Sequence, residues 1–206
     1  PGLKRAIEEG KKGGWEGTIE FFPEEGKYHY DGHRNCQVCL SPAQTRAYEG
    51  RCPVCGRKIV IGVQNRVEQL ADRVEGVQKP DAPAFESLAP LPEAIAASTG
   101  WSATGKKVQQ IYMRLLEEIG PEFTVLRKAP LEQIGRIGGP CVEEGMRRLR
   151  AGQVERSPGF DGQYGVITLL RQEEIEKLSG QISFFQESSR SAPKKSRAAA
   201  QQVRKN

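Results

Sequence analysis

Four cysteines carry the clearest chemistry in this 206-residue chain: Cys36-x2-Cys39 and, twelve residues further on, Cys52-x2-Cys55. Paired knuckles of this kind close on one tetrahedral ion, and four thiolates make a soft, saturated site with no open position for water. The spacing therefore predicts one structural Zn2+ that organises the fold and performs no hydrolysis itself. The run "CPVCG" puts Pro53 and Gly56 where a tight turn aims backbone N–H groups at sulfur. Two disulfides are the alternative, and they need an oxidising compartment. The first residues show no signal-peptide pattern, so the expected location is the cytoplasm. No apolar run is long enough to cross a bilayer, and no membrane partner is expected. The fifth cysteine, Cys141, has no histidine near it in sequence and reads as a small buried apolar residue.

Leading into the first knuckle, "EEGKYHYDGHRNC" gathers acids, two tyrosines and both histidines of the chain. His29, Asp31 and His33 are thus a second candidate site. Asp31-Gly32-His33 suits a metal or phosphate contact, and His33 could take a cysteine's place at the zinc. Spacing alone is weak evidence for ligation, and the simpler reading is a solvated or hydrogen-bonded loop.

These residues need elements to hold them. "GLKRAIEEG" reads as a helix already under way, the pattern expected of a piece of something longer. "WEGTIEFF" alternates like a strand that Pro23 ends. Between the knuckles, Ser41 and Pro42 supply an N-cap and first position for a short helix. "RKIVIGV" reads as a strand and "QNRVEQLADR" as a helix, completing a zinc-ribbon-like unit. Residues 74–93, rich in Pro and Ala, predict a linker or an extended packing arm. Beyond them the pattern turns helical, with Val108, Ile111, Tyr112 and Leu115 on one face of "KKVQQIYMRLLEEIG".

The net charge of +5 is confined to one end. Residues 186–206 hold six basic residues against Glu187, which leaves the rest of the chain with 25 basic and 25 acidic side chains. Any nucleic-acid surface must then be local. Gly100–Lys106 matches a phosphate-binding loop except that Lys107 stands where Ser or Thr should hold Mg2+, and a helix precedes it in place of a strand. ATP is not expected; Lys106 and Lys107 read as a helix start able to touch a phosphate.

"PLEQIGRIGGPCVEEGMRRLRAG" predicts a helix-hairpin-helix. Gly135, Gly138 and Gly139 would open a hairpin whose amides face a DNA phosphate, with Arg136, Arg147 and Arg148 adding charge and Pro140 starting the next helix. An ordinary helical hairpin packed by Ile137, Met146 and Leu149 is the plainer alternative. Near the end, Gln181-Ile182-Ser183-Phe184-Phe185 resembles the pentapeptide that docks on the bacterial sliding clamp, placed between the last helix and a basic tail.

Taken in order, the knuckles, "EFFPEEGKYHYDGHRNC", "RVEQLADR" and the hairpin segment resemble the C-terminal half of the endonuclease Q family, whose bacterial relatives are sometimes labelled UvrD-like helicases. The resemblance runs from about residue 2 to Phe185. It implies a DNA-repair enzyme that nicks 5′ to deaminated bases such as uracil and hypoxanthine. The catalytic metals would sit in an N-terminal polymerase-and-histidinol-phosphatase (PHP) domain whose His and Asp motifs are not in this sequence, so the segment alone is expected to bind duplex DNA without cutting it.

The expected class is α+β: residues 1–35 as the C-terminal edge of that catalytic domain, 36–73 as the zinc-ribbon-like module, 74–93 as linker or arm, 94–179 as the helical DNA-binding module, and 180–206 as clamp-binding-like peptide and disordered basic tail. A nucleoid-associated protein follows. The rival reading is a non-catalytic zinc-ribbon adaptor that binds DNA and is recruited by the sliding clamp.

Overall fold

A computed structural model describes residues 2–74, 76–77, 80 and 82–180. The first half contains α1 (Gly2–Glu9), β1 (Gly17–Glu20), β2 (Asp31–His33), β3 (Val38–Leu40), α2 (Pro42–Ala47), α3 (Val63–Leu70) and β4 (Ala84–Ser87). The second contains α4 (Leu91–Thr99), α5 (Lys106–Glu118), α6 (Glu122–Arg127), α7 (Leu131–Gly138), α8 (Pro140–Arg150), β5 (Glu155–Ser157), β6 (Val166–Thr168) and α9 (Gln172–Ser179). The class is α+β. The strands form three two-stranded sheets: β1 with β4 in parallel, and β2 with β3 and β5 with β6 antiparallel.

The larger core belongs to the helices. α4 buries Leu91, Ala94, Ile95, Ser98 and Thr99, a helical stripe that lies against α8, which buries Cys141, Val142, Gly145, Met146 and Leu149. Val108 and Leu115 of α5 reach the same core, as expected from their spacing, with Ile111 and Tyr112 packed at its margin. Polar groups fasten the helix ends. Glu122 accepts the Leu91 N–H at 2.6 Å at the start of α4, and Arg150 donates to the Val125, Leu126 and Ala129 carbonyls at 2.7–2.8 Å at the end of α6. In the 74–93 stretch, β4 pairs with β1, and Leu88, Ala89 and Leu91 enter the helical core with Phe22.

The second core is small: Leu40, Cys52 and Ile59, with Cys36 and Val38 against them. So little apolar surface does not hold a module by itself. A main-chain seam ties it to the far end of the chain. Tyr30 N–H donates to the Gly159 carbonyl at 2.9 Å, and Gly159, Gly162 and Gly165 donate to Glu24, Lys27 and Glu25 at 2.8, 2.9 and 3.0 Å. Arg34 N–H reaches Asp161 Oδ2 at 2.7 Å, and Arg156 pairs with Glu24 at 2.9 Å. The two segments approach so closely that a methyl group on Gly165 would run into the Glu24 carbonyl oxygen.

Two of the expected elements differ in the structure. "RKIVIGV" is no strand; it makes only the isolated bridges Arg51–Lys58 and Gly32–Val60 before α3 begins at Val63. The helix-hairpin-helix is not confirmed either: among the described residues α7 runs on through Gly138, and Gly139, at φ +86°, alone separates it from α8. A methyl on Gly138 would sit 2.9 Å from Val142 Cβ, so this glycine lets two helices pack closely and offers no open loop of amides. The Ser41 cap is present as a capping box with Gln44.

Two expectations follow from the α8 contacts. A methyl on Gly145 would fall 1.8 Å from Ser98 Oγ in the middle of the α4–α8 crossing. Gly145→Ala is expected to destabilise the chain by about 1–3 kcal/mol through overpacking, and Ser98→Gly to recover most of it, measured by urea unfolding of both single variants and the double. Arg148 pairs with Glu144 on its own helix at 2.8 Å and with Glu174 of α9 at 2.6 Å. The side-chain hydrogen bonds from Arg147 and then Arg148 bring Glu144 down to about 2, and that from Arg148 brings Glu174 down to about 2. Both carboxylates ionise more readily folded than unfolded. Their contribution is therefore complete above about pH 4.5 and is lost as pH falls towards 2. Between pH 5 and pH 2.5 the wild type should lose more melting temperature than Arg148→Met.

Candidate metal centre and nucleic-acid interface

The ligand atoms of His33, Cys36, Cys52 and Cys55 all lie within 4.8 Å of one another. A tetrahedral ion with Zn–S and Zn–N bonds of ordinary length spaces its ligands roughly 3.4–3.8 Å apart, and His33 Nδ1 already stands 3.4 Å from Cys55 Sγ. Three thiols and one imidazole form a donor set that could hold an ion such as zinc. The set differs from four cysteines by one exchange: Cys39 is out and His33 is in.

The pleat of the β2–β3 ladder explains the exchange. His33 sits opposite Val38, and Gly32 opposite Cys39. Neighbours along a strand face opposite sides, so the side that carries His33 to the other thiols carries Cys39 away. Cys39 Sγ turns instead to the Pro158 carbonyl at 3.9 Å, on the side where Phe160 packs against Gly32. Burial, and then the nearby Asp31, push the Cys39 thiol up.

The electrostatics of the cluster suit a cation. Burial works against ionising Cys52, yet the backbone N–H groups of Cys55 and Val54, with His33 and the Cys55 thiol, bring it down to about 6. Burial and then the Cys55 and Cys52 sulfurs push Cys36 up to about 11. Without a cation the cluster cannot ionise all its thiols together; with one, the mutual repulsion is relieved. The turn amides behind Cys52 are those the "CPVCG" spacing anticipates.

The three residues of the second candidate site have separate roles. Asp31 is fully buried and accepts from the Gly62 N–H at 2.6 Å and from Asn65 Nδ2 at 2.7 Å, joining β2 to the start of α3. His29 stacks on Tyr30 with ring centres 5.2 Å apart, and burial lowers its pKa. Only His33 joins the sulfurs.

The residues expected at DNA also separate. Lys106 and Lys107 are exposed at the start of α5, and the Lys107 ammonium lies 4.8 Å from the centre of the Trp101 ring. Arg136 is exposed on α7. Gly135 and Gly138 lie inside α7, with Gly139 as the single turn residue. Arg147 and Arg148 are held by Glu144 and Glu174. Trp101 borders the groove along α5 with Lys106, Lys107 and Arg114; spacing does not mark it, and its one signal in the sequence is an aromatic between two glycines. Gln181, Ile182, Ser183, Phe184 and Phe185 lie outside the described residues.

Comparison with known proteins gives this geometry a relative. The crystal structure of the lesion-specific endonuclease PfuEndoQ from Pyrococcus furiosus superposes with a TM-score of 0.63 and 30% identity over 77% of this chain. The chain is endonuclease Q-like. A crystal structure of endonuclease Q in complex with a 27-mer duplex substrate, with an abasic lesion at the active site, matches with the same TM-score, identity and coverage. The family described as the MJ0043 C-terminal domain matches residues 90–153. The uncharacterized protein MJ0043 of Methanocaldococcus jannaschii is 32% identical over 151 residues, 73% of this chain and 19% of that protein. The uncharacterized protein YqxK of Bacillus subtilis is 29% identical over 146 residues, 70% of this chain and 33% of that protein. The endonuclease Q-like chain thus spans 19% and 33% of these two curated relatives, and 40% and 39% of the two solved chains.

The ligand exchange has a direct test. Cys39→Ser should keep one zinc per chain, whereas His33→Ala, Cys36→Ser and Cys55→Ser should each lose it, read by metal analysis of purified protein and by melting temperature. Zinc lost from Cys39→Ser but retained by His33→Ala would restore the four-cysteine site.

Proposed function

We propose that this chain is the DNA-holding part of a repair endonuclease that nicks duplex DNA 5′ to deaminated bases such as uracil and hypoxanthine. The observation that carries the reading is the match to endonuclease Q at 30% identity over 77% of the chain, one of the matched structures being a complex with a lesion-bearing duplex. Zn2+ held by His33, Cys36, Cys52 and Cys55 has a structural role, since four protein ligands leave no position for a reacting water. The cutting chemistry belongs to a PHP-type domain outside these residues, with its own metals.

The local surface supports this division of labour. Lys106, Lys107 and Arg136 are exposed cations suited to phosphates, which position a duplex without reading its sequence. The parallel pair β1–β4 leaves Ile19, Phe21 and Phe85 largely exposed, with Phe123 alongside. Parallel sheets are ordinarily covered on both faces, so an apolar surface here fits a further domain packed against residues 1–35. Recruitment by the sliding clamp through residues 181–185 and a cytoplasmic, nucleoid-associated location are proposals from the sequence alone.

The chain should bind a duplex carrying one deoxyuracil or deoxyinosine and leave it uncut, while the gene's complete product nicks it 5′ to the lesion. Lys106→Glu with Lys107→Glu should weaken duplex binding about tenfold at low salt and reduce the slope of log affinity against log salt by about two, by fluorescence anisotropy. Complete product that binds such duplexes and never nicks them would instead favour the adaptor.

A further inference from the structure

Helix α3 sits inside out on the Cys/His module. Its inner side is polar. Asn65, its one buried residue, donates to Asp31 at 2.7 Å and accepts from Gln69 Nε2 at 2.8 Å, and Glu68 pairs with Arg46 of α2 at 2.8 Å. The apolar side chains lie opposite. Val63, Val67 and Leu70 recur at i, i+4 and i+7, which puts them on one stripe about 180° around the helix from Asn65. They are 61%, 50% and 66% exposed, and Ile61 is exposed just before the helix starts. An amphipathic helix ordinarily turns such a stripe to the core. A single exposed valine needs no explanation, but a stripe at helical period is the pattern that anchors one helix against another.

We propose that this stripe is the docking face for an amphipathic helix of another polypeptide, one whose apolar stripe is flanked by acidic side chains. Charge selects that occupant. Residues 32–70 carry Arg34, Arg46, Arg51, Arg57, Lys58 and Arg66 against two acids, Glu49 and Glu68, and Glu68 is already taken by Arg46. Arg66 is exposed beside Val67 on the flank of the stripe, and its guanidinium donates to the neutral Gln69 at 3.1 Å. A carboxylate on a docked helix would meet Arg66 with opposite charge, which adds direction and selectivity to the apolar contact. The same charge argues against a second copy of this chain. A two-fold pairing of α3 with α3 sets Arg66 of one protomer beside Arg66 of its partner, and like charges brought together at an interface are unfavourable. Eight residues make α3 about 12 Å long, so the face takes two to three turns of a partner helix. None of its residues belongs to the DNA-holding surface proposed above.

The test uses the full 206-residue chain and two fluorescent peptides of about 18 residues, long enough to hold helix. Both carry the same leucine stripe, flanked by Glu in one and by Lys in the other. Anisotropy should show the Glu peptide binding about tenfold tighter than the Lys peptide, with the gap narrowing at high salt. Val67→Ser with Leu70→Ser should weaken the Glu peptide about tenfold. Arg66→Glu should reverse the preference, so that the Lys peptide binds tighter. All three positions are exposed, and circular dichroism and melting temperature should match wild type. The charge reversal keeps the test decisive even if the double serine variant fails to fold. Equal affinity for the two peptides, or no binding at about 1 mM, would overturn the proposal. So would sedimentation showing a dimer of the chain that Val67→Ser with Leu70→Ser dissolves, which would assign the stripe to a second copy. Complete gene product that ignores the Glu peptide while this chain binds it would overturn it too, because another part of the same polypeptide then covers α3.

Discussion

Hydrogen bonds between residues 24–34 and 156–165 fasten the Cys/His module to the far end of the chain. The Cys/His module has a core of three buried side chains, too few for independence, and its strands β2 and β3 are three residues each. What fixes it is the requirement that buried N–H and C=O groups find partners. The glycines at 159, 162 and 165 let the returning chain come close enough to meet that requirement, and Phe160 closes the gap over Gly32. Asp31 extends the arrangement inward, taking two hydrogen bonds from α3 and its cap. The Cys/His cluster is thus built on a hairpin whose position is set by residues about 130 positions away.

The same hairpin decides which residues meet at the cluster. Its pleat places His33 with three thiols and turns Cys39 to the opposite side, so the ligand set follows from register. The helical half depends on a different constraint, close approach at glycine: Gly145 against Ser98 and Gly138 against Val142 bring α8 against α4 and α7. With α8 so placed, Arg147, Arg148 and Arg150 are all consumed within the protein, by carboxylates or by carbonyls at a helix end. Lys106, Lys107 and Arg136, by contrast, stay exposed on α5 and α7.

Much of this could be read from the residues. The apolar stripe of α5, the Ser41 cap, the halt at Pro23 and the convergence of cysteines on one centre all depend on local spacing, which the sequence displays directly. The misreadings share a cause: they concern tertiary proximity. Cys39 has ideal spacing for a ligand, and only the pairing of Gly32 with Cys39 removes it. Gly135 and Gly138 look alike in sequence whether they open a loop or let helices touch. Residues 57–63 have strand composition, yet no neighbour runs beside them for more than one bridge. Arg147 and Arg148 look available until Glu144 and Glu174 are seen beside them.

The seam between residues 24–34 and 156–165 also orders events in time. A nascent chain emerges from its N-terminus, and the strand that carries His33 is made long before the glycines that brace it. Contacts of such sequence separation form late, because a long loop must close before any of them is gained. The segment that carries the Cys/His cluster must therefore wait for its brace until synthesis has passed Gly165. The cluster is therefore one of the last features of the molecule to be completed, although its residues are among the first to be made.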